Sequence, residues 1–136
     1  MPVRTHALSR PMNLSSAWLF FLLTTVFRDI HNFVRPGFVE QVLTGVVNGH
    51  TVTDTLLLIG GVAVTLPIAL VWLSPVLPDK MVRWASALVA VMNLAFVATT
   101  PLHAVDEIYF AVLHIGVLGF ILWTVTLGWH SGAQAS

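Results

Sequence analysis

Residues 54–79 read DTLLLIGGVAVTLPIALVWLSPVLPD, with an aspartate at each end and 24 uncharged residues between. A helix rises about 1.5 Å per residue and the hydrocarbon of a bilayer is about 30 Å thick, so about 20 apolar residues cross it. The stretch is long enough, and as a helix it satisfies its own backbone N–H and C=O groups, which is what hydrocarbon demands. Working outward, the pattern repeats. There are 17 residues without formal charge between Arg10 and Arg28, 22 between Arg83 and Asp106, and 29 after Glu107. Four apolar runs, separated by clusters holding nearly all the charge, predict an all-α fold: a four-transmembrane-helix bundle with spans at about 13–33, 54–74, 79–99 and 101–128.

Composition agrees. Charged residues are 9% of the chain and hydrophobic ones 57%, against roughly 25% charged in ordinary soluble domains. A water-facing globule is excluded, and the bilayer is the expected partner. The 6 basic and 6 acidic residues cancel and form no basic block, so nucleic acid is not an expected partner. Without cysteine, disulfides, thiolate catalysis, iron–sulfur clusters and lipoprotein anchoring are excluded. Arg4 and Arg10 precede an apolar run as in a signal peptide. Arg28 and Asp29 follow it where small residues should mark cleavage, so an uncleaved first span is expected.

Lysine and arginine favour the cytoplasmic side of short loops. Arg4 and Arg10 lie before span one, Lys80 and Arg83 between spans two and three, and none lies in the link from span three to span four or after span four. Arg28 and Arg35 run against this trend. Trp18, Trp72, Trp84, Trp123 and Trp129 fall toward the same ends, where amphipathic rings prefer the interface. The expected organisation is a cytoplasmic tail at 1–12, one membrane domain at 13–129 and a cytoplasmic tail at 130–136, in the plasma (inner) membrane.

Local signals refine this. Asn13 or Ser15 is expected to cap span one. Arg35-Pro36 biases the chain to extended geometry, and Gly37 to Leu43 repeats apolar residues at helical spacing, predicting a short amphipathic helix in the outer interface, ended by Gly45. Asn48-Gly49 between alternating apolar residues predicts a hairpin. Thr53 is the expected N-cap of span two and Asp79 that of span three, with Thr100-Pro101 as N-cap and N1 of span four. Gly60, Gly61 and Ala63, and Ser86, Ala87, Ala90 and Ala95, are expected packing positions; Pro67 is expected to kink span two.

Depth singles out the candidate site. From Leu14 to Arg28 is about 21 Å of helix, from Arg83 to Asn93 about 15 Å, and from Pro101 to His114 about 20 Å. Arg28, Asp29, Asn93, Glu107 and His114 thus enter the outer half of the bilayer on three helices. Ionisable groups there cost roughly 2.5 kcal/mol upward, so they should face inward and pair. The functional reading is an outward-opening pocket for a ligand or proton. The plainer reading is that Arg28 pairs with Asp29, Asp106 or Glu107 and sets helix register. His31, His103, Glu107 and His114 are metal-ligand types without a fixing motif such as HExxH, so neither a metal nor another cofactor is expected. No nucleophile elbow or phosphate loop occurs, and the adjacent Asp106 and Glu107 point to different helix faces.

Arg28-Asp29-Ile30, Pro36-Gly37, Leu43-Thr44-Gly45 with Asn48-Gly49, Leu66-Pro67-Ile68, Leu73-Ser74 with Leu77, and Arg83-Trp84 together resemble a family of small uncharacterised bacterial four-helix membrane proteins, a domain of unknown function, with a looser likeness to DoxX-like proteins. The resemblance spans roughly Trp18 to Trp129 and implies the fold and membrane location, but no reaction. It also implies that an acidic residue is common where His114 stands, so a fixed carboxylate mechanism does not transfer. The leading expectation is a non-enzymatic membrane protein that binds a small molecule or serves as an accessory subunit, alone, as a homodimer or in a larger membrane complex. The alternatives are a proton-coupled carrier acting as a dimer, and an intramembrane enzyme acting on a lipid or quinone with His114 as acid or base.

Overall fold

A computed structural model describes residues 10–128. Its five helices are α1 (Arg10–Phe33), α2 (Phe38–Thr44), α3 (Asp54–Leu73), α4 (Asp79–Thr99) and α5 (Val105–Trp123); the last runs on into a π-helical turn, Thr124–Gly128. A two-stranded antiparallel hairpin, β1 (Val46–Val47) and β2 (His50–Thr51), lies between α2 and α3. The long helices form a ring in which α1 packs on α3 and α5, and α4 packs on the same two. Three helical stretches are long and apolar enough to cross a membrane: Asp54–Leu73, Asp79–Thr99 and Val105–Gly128. The four-span expectation is met to that extent. With its 24 residues α1 has the length, but Arg28, Asp29, His31 and Asn32 fill its last turns and lower its apolarity.

The segment after α1 follows its local chemistry closely. Gly37 enters α2 with φ 82°, and Gly45 leaves it with φ 72°, donating its N–H to the Gln41 and Val42 carbonyls. Only glycine takes that left-handed cap without steric cost. Val46 pairs with Thr51 and Val47 with His50, so Asn48 (φ 50°) and Gly49 (φ 80°) form the two-residue turn whose positive φ angles suit the strand twist. The Gln41 side chain ties α2 to this turn by accepting from the Asn48 N–H at 2.9 Å.

Helix starts differ from expectation in three places. α1 already runs from Arg10, so Asn13 and Ser15 lie inside it rather than at its cap; the Ser15 hydroxyl instead donates to the Val71 carbonyl of α3 at 2.6 Å. Pro78, not Asp79, precedes α4, and Asp79 occupies the first turn, where the helix dipole favours a carboxylate. Thr100 is extended and closes α4, its hydroxyl donating back to Phe96, and α5 begins at Val105 rather than Pro101. Thr53 does cap α3, accepting from the Leu56 N–H at 3.2 Å.

Packing is polarised. The buried core of Leu14, Trp18 and Phe21 from α1, Leu70 from α3, Val82, Val89 and Ala90 from α4, and Leu118, Ile121 and Val125 from α5 and its π turn lies toward one end. Trp18, placed by its sequence at the interface, is fully buried, and its indole N–H donates to the Ser86 hydroxyl at 3.2 Å. Trp72, Trp84 and Trp123 are exposed at that end. Trp129, residues 1–9 of the expected first tail and the whole of the second lie outside the described residues, while residues 10–12, expected in the tail, already belong to α1. At the other end α3 is bare. Gly60 and Gly61 are exposed, and a Cβ on either would meet nothing within 4 Å. Gly60 and Gly61 therefore pack on no other described element, and Ala63 is half-buried. Ser86 and Ala90 do pack inside, Ala87 is half-buried and Ala95 is exposed.

Candidate functional site

The last turn of α1 and the first turn of α5 meet at the end opposite the core, and a single guanidinium joins them. Arg35, just past α1, donates from Nη1 to Glu107 Oε1 at 2.7 Å and from Nη2 to Asp106 Oδ2. His31, one helical turn earlier, places Nε2 3.3 Å from the same Asp106 oxygen. Glu107 uses its second oxygen to accept from the backbone N–H groups of His103 (2.7 Å) and Ala104 (3.1 Å). Here lies the reason α5 starts late: a carboxylate three residues into a helix reaches back to the exposed N–H at its start, and Glu107 does so at Ala104. The same residue caps the helix and anchors the arginine. Hydrogen bonds from Arg35 first to Glu107 and then to Asp106 raise the guanidinium pKa still further above its ordinary value. Arg35 therefore stays cationic at any pH the fold meets.

Two turns of α5 below Glu107, about 10 Å deeper, His114 is buried at 2% exposure. Its Nε2 is 3.4 Å from the Thr25 hydroxyl of α1, and its ring lies 5.1 Å from that of Phe21. Thr25 also donates to the Phe21 carbonyl at 2.9 Å, so its oxygen is left to accept and Nε2 is placed to donate. The α1–α5 seam thus carries one buried imidazole under a charged clamp.

The five residues singled out by depth do not converge in one pocket. Arg28 pairs with Asp29, one of the three partners named for it, with Nη2 3.0 Å and Nε 3.2 Å from Oδ1. Neighbouring residues on a helix point apart, and this pair lies at the seam's outer edge with Asp29 about half exposed. Glu107 is engaged by Arg35, and Asn93 donates to the Val89 carbonyl of its own helix at 2.9 Å. Neither the cavity between α1 and α5 toward the core end nor the one beside the π turn is lined by Arg28, Asp29, Asn93, Glu107 or His114. Among the described residues no three metal-ligating side chains of His, Asp and Glu gather in one place.

Arg35 is the residue sequence reading passed over, treated there as the residue before a proline and a charge on the wrong side. The signal was present. Arg35 lies two residues past the end of α1, and the end of α1 and the start of α5 lie at the same end of the bundle. A cation at the former and two carboxylates at the latter lie at matching depth.

The chain belongs to DUF6326, a family of unknown function whose profile covers residues 3–136. No curated protein and no solved structure matches it, so the looser likeness to DoxX-like proteins goes no further.

Proposed function

We propose that this chain is a non-enzymatic, four-span protein of the plasma (inner) membrane with both termini cytoplasmic, and that the α1–α5 seam binds a small molecule on behalf of the chain or of a complex in which it is an accessory subunit. α1 completes the four crossings by length, with Arg28 and Asp29 near its outer end. The single observation that supports a binding role is His114, a buried imidazole placed between Thr25 and Phe21 beneath the clamp of His31, Arg35, Asp106 and Glu107. An intramembrane ionisable group is expensive, and it faces the bundle interior here, as functional groups in membranes do. Second copies fit the reading as well, because the bare outer half of α3 has no partner within the described chain.

Native mass spectrometry of the protein extracted with its lipids tests this. The expected result is a small molecule retained by the wild type and lost from His114→Leu, with the melting temperature of the variant nearly unchanged, since an apolar group of similar size replaces a weakly bonded polar one. Identical retention in the two chains, or a variant that melts like a core deletion, would count against a binding role.

A further inference from the structure

At the core end, a cavity of about 440 Å³ opens between the first turns of α4 and the π turn, rimmed by Asp79, Lys80, Arg83, Trp84 and Thr126. The π turn shapes it. A turn wound more widely than an α-helix takes its carbonyls out of ordinary register, and such turns gather at functional positions; here the Val125 carbonyl accepts from Arg83 Nε at 2.9 Å. That bond fixes the guanidinium at the rim. Lys80 is three residues before Arg83, hence on the same face of α4. It is exposed and makes no ion pair with any described residue. Among the described residues Asp79 is the one carboxylate on the rim, beside the two cations.

Below the cations runs an apolar track. Trp84, Leu88 and Val91 recur at helical spacing down one side of α4 and are 72%, 72% and 55% exposed. A paired cation, an aromatic ring at its side and an exposed apolar stripe leading away form an amphipathic complement: an anion above and an alkyl chain beneath.

We infer that this corner is a binding site for an anionic glycerophospholipid of the inner leaflet, its phosphodiester held by Lys80 and Arg83 at the cavity rim and its acyl chain laid along Trp84, Leu88 and Val91. The inner-leaflet assignment rests on the four-span orientation proposed above. Free phosphate shares the headgroup chemistry but has nothing to lay on the apolar track.

The test uses the full-length chain in detergent, offered phosphatidylglycerol and phosphatidylcholine in equal amounts, with retained lipid counted by native mass spectrometry. The wild type should retain phosphatidylglycerol preferentially, and Lys80→Gln, which removes an exposed cation and no packing, should cut that preference about fivefold, the expected effect of one cation near an anionic headgroup. Glu40→Gln, on the exposed face of α2 at the opposite end, should leave it unchanged. Equal retention in wild type and Lys80→Gln, an equal loss in Glu40→Gln, or full displacement of the lipid by inorganic phosphate would overturn the site. A single cysteine introduced by Lys80→Cys reports the orientation separately. Labelling from the outer face would overturn the topology and the leaflet together, whereas inner labelling with no lipid preference overturns the lipid site alone.

Discussion

Breaking the Trp18 to Ser86 hydrogen bond is the sharpest test of how the bundle is held, because it crosses the ring from α1 to α4 where all four long helices contribute to the core. Both residues are fully buried. In Ser86→Ala the indole N–H loses its acceptor where water cannot replace it; an unsatisfied buried donor costs about 1 to 3 kcal/mol in general. Membrane interiors soften this, since the denatured chain also finds partners, and interhelical hydrogen bonds there average about 0.6 kcal/mol with a maximum near 1.7. Trp18→Phe loses the same bond plus the volume of half a ring system. Trp18→Ala empties a site enclosed by Leu14, Phe21 and Leu118 and should cost about 3 to 5 kcal/mol. The informative quantity is therefore the coupling in the cycle of Ser86→Ala, Trp18→Phe and the double variant, expected at about 0.6 to 1.7 kcal/mol. Reversible unfolding by dodecyl sulfate in mixed micelles, followed by circular dichroism, measures it. Strict additivity would show that the bond contributes nothing and that Trp18 acts through bulk alone, and the placement of α4 against α1 would need another cause.

Arg35→Gln should raise hydrogen exchange in the last turns of α1 and the first turns of α5 while leaving exchange near Trp18 and Ile121 unchanged; uniform protection throughout would show that the clamp does not hold the seam. Gly60→Leu should alter stability in detergent by less than about 0.5 kcal/mol, as for a surface site, whereas Ala90→Leu, in the filled core, should cost about 1 to 3 kcal/mol; equal costs would contradict the polarised packing. Thr53→Ala should lose about 0.5 to 2 kcal/mol of helix stability by stripping the cap from α3, seen as earlier melting, and an unchanged melt would mean the Leu56 N–H finds water instead.

What was legible in the sequence divides along the range of the forces. Asn48-Gly49, Gly45 and Thr53 act on their own backbone within a few residues, and the turn, the helix end and the cap stand where those residues put them. The apolar runs act through length and composition, and α3, α4 and α5 follow them. Helix starts fared worse wherever a side chain from another element or a later turn competed. Ser15 was free to cap on local grounds but found the Val71 carbonyl across the bundle, and Pro101 was sound at N1 until Glu107 took the backbone N–H groups of His103 and Ala104. Trp18 is the same lesson at larger scale. Its position by depth agrees with the interface, yet rotation about the α1 axis turns it inward, and neither counting residues nor averaging hydropathy reports rotation.

Reach also explains why the depth argument singled out Arg28, which pairs with Asp29, one of its expected partners, and passed over Arg35. Counting residues placed Arg28 and Glu107 toward one end of the bundle, and both lie toward the end where α1 finishes and α5 begins. Which cation meets which carboxylate depends instead on where each side chain can reach once α1 has ended. Arg28 is held inside a helix with Asp29 as its neighbour; Arg35 sits beyond the last turn, on a backbone released by Pro36, and a long flexible side chain there can cross to α5. A guanidinium carries two terminal nitrogens and can reach two carboxylates at once, and Asp106 and Glu107, pointing to different helix faces, present one oxygen each to them. The feature that made those two acids unfit as a catalytic pair is the one that lets a single arginine hold both.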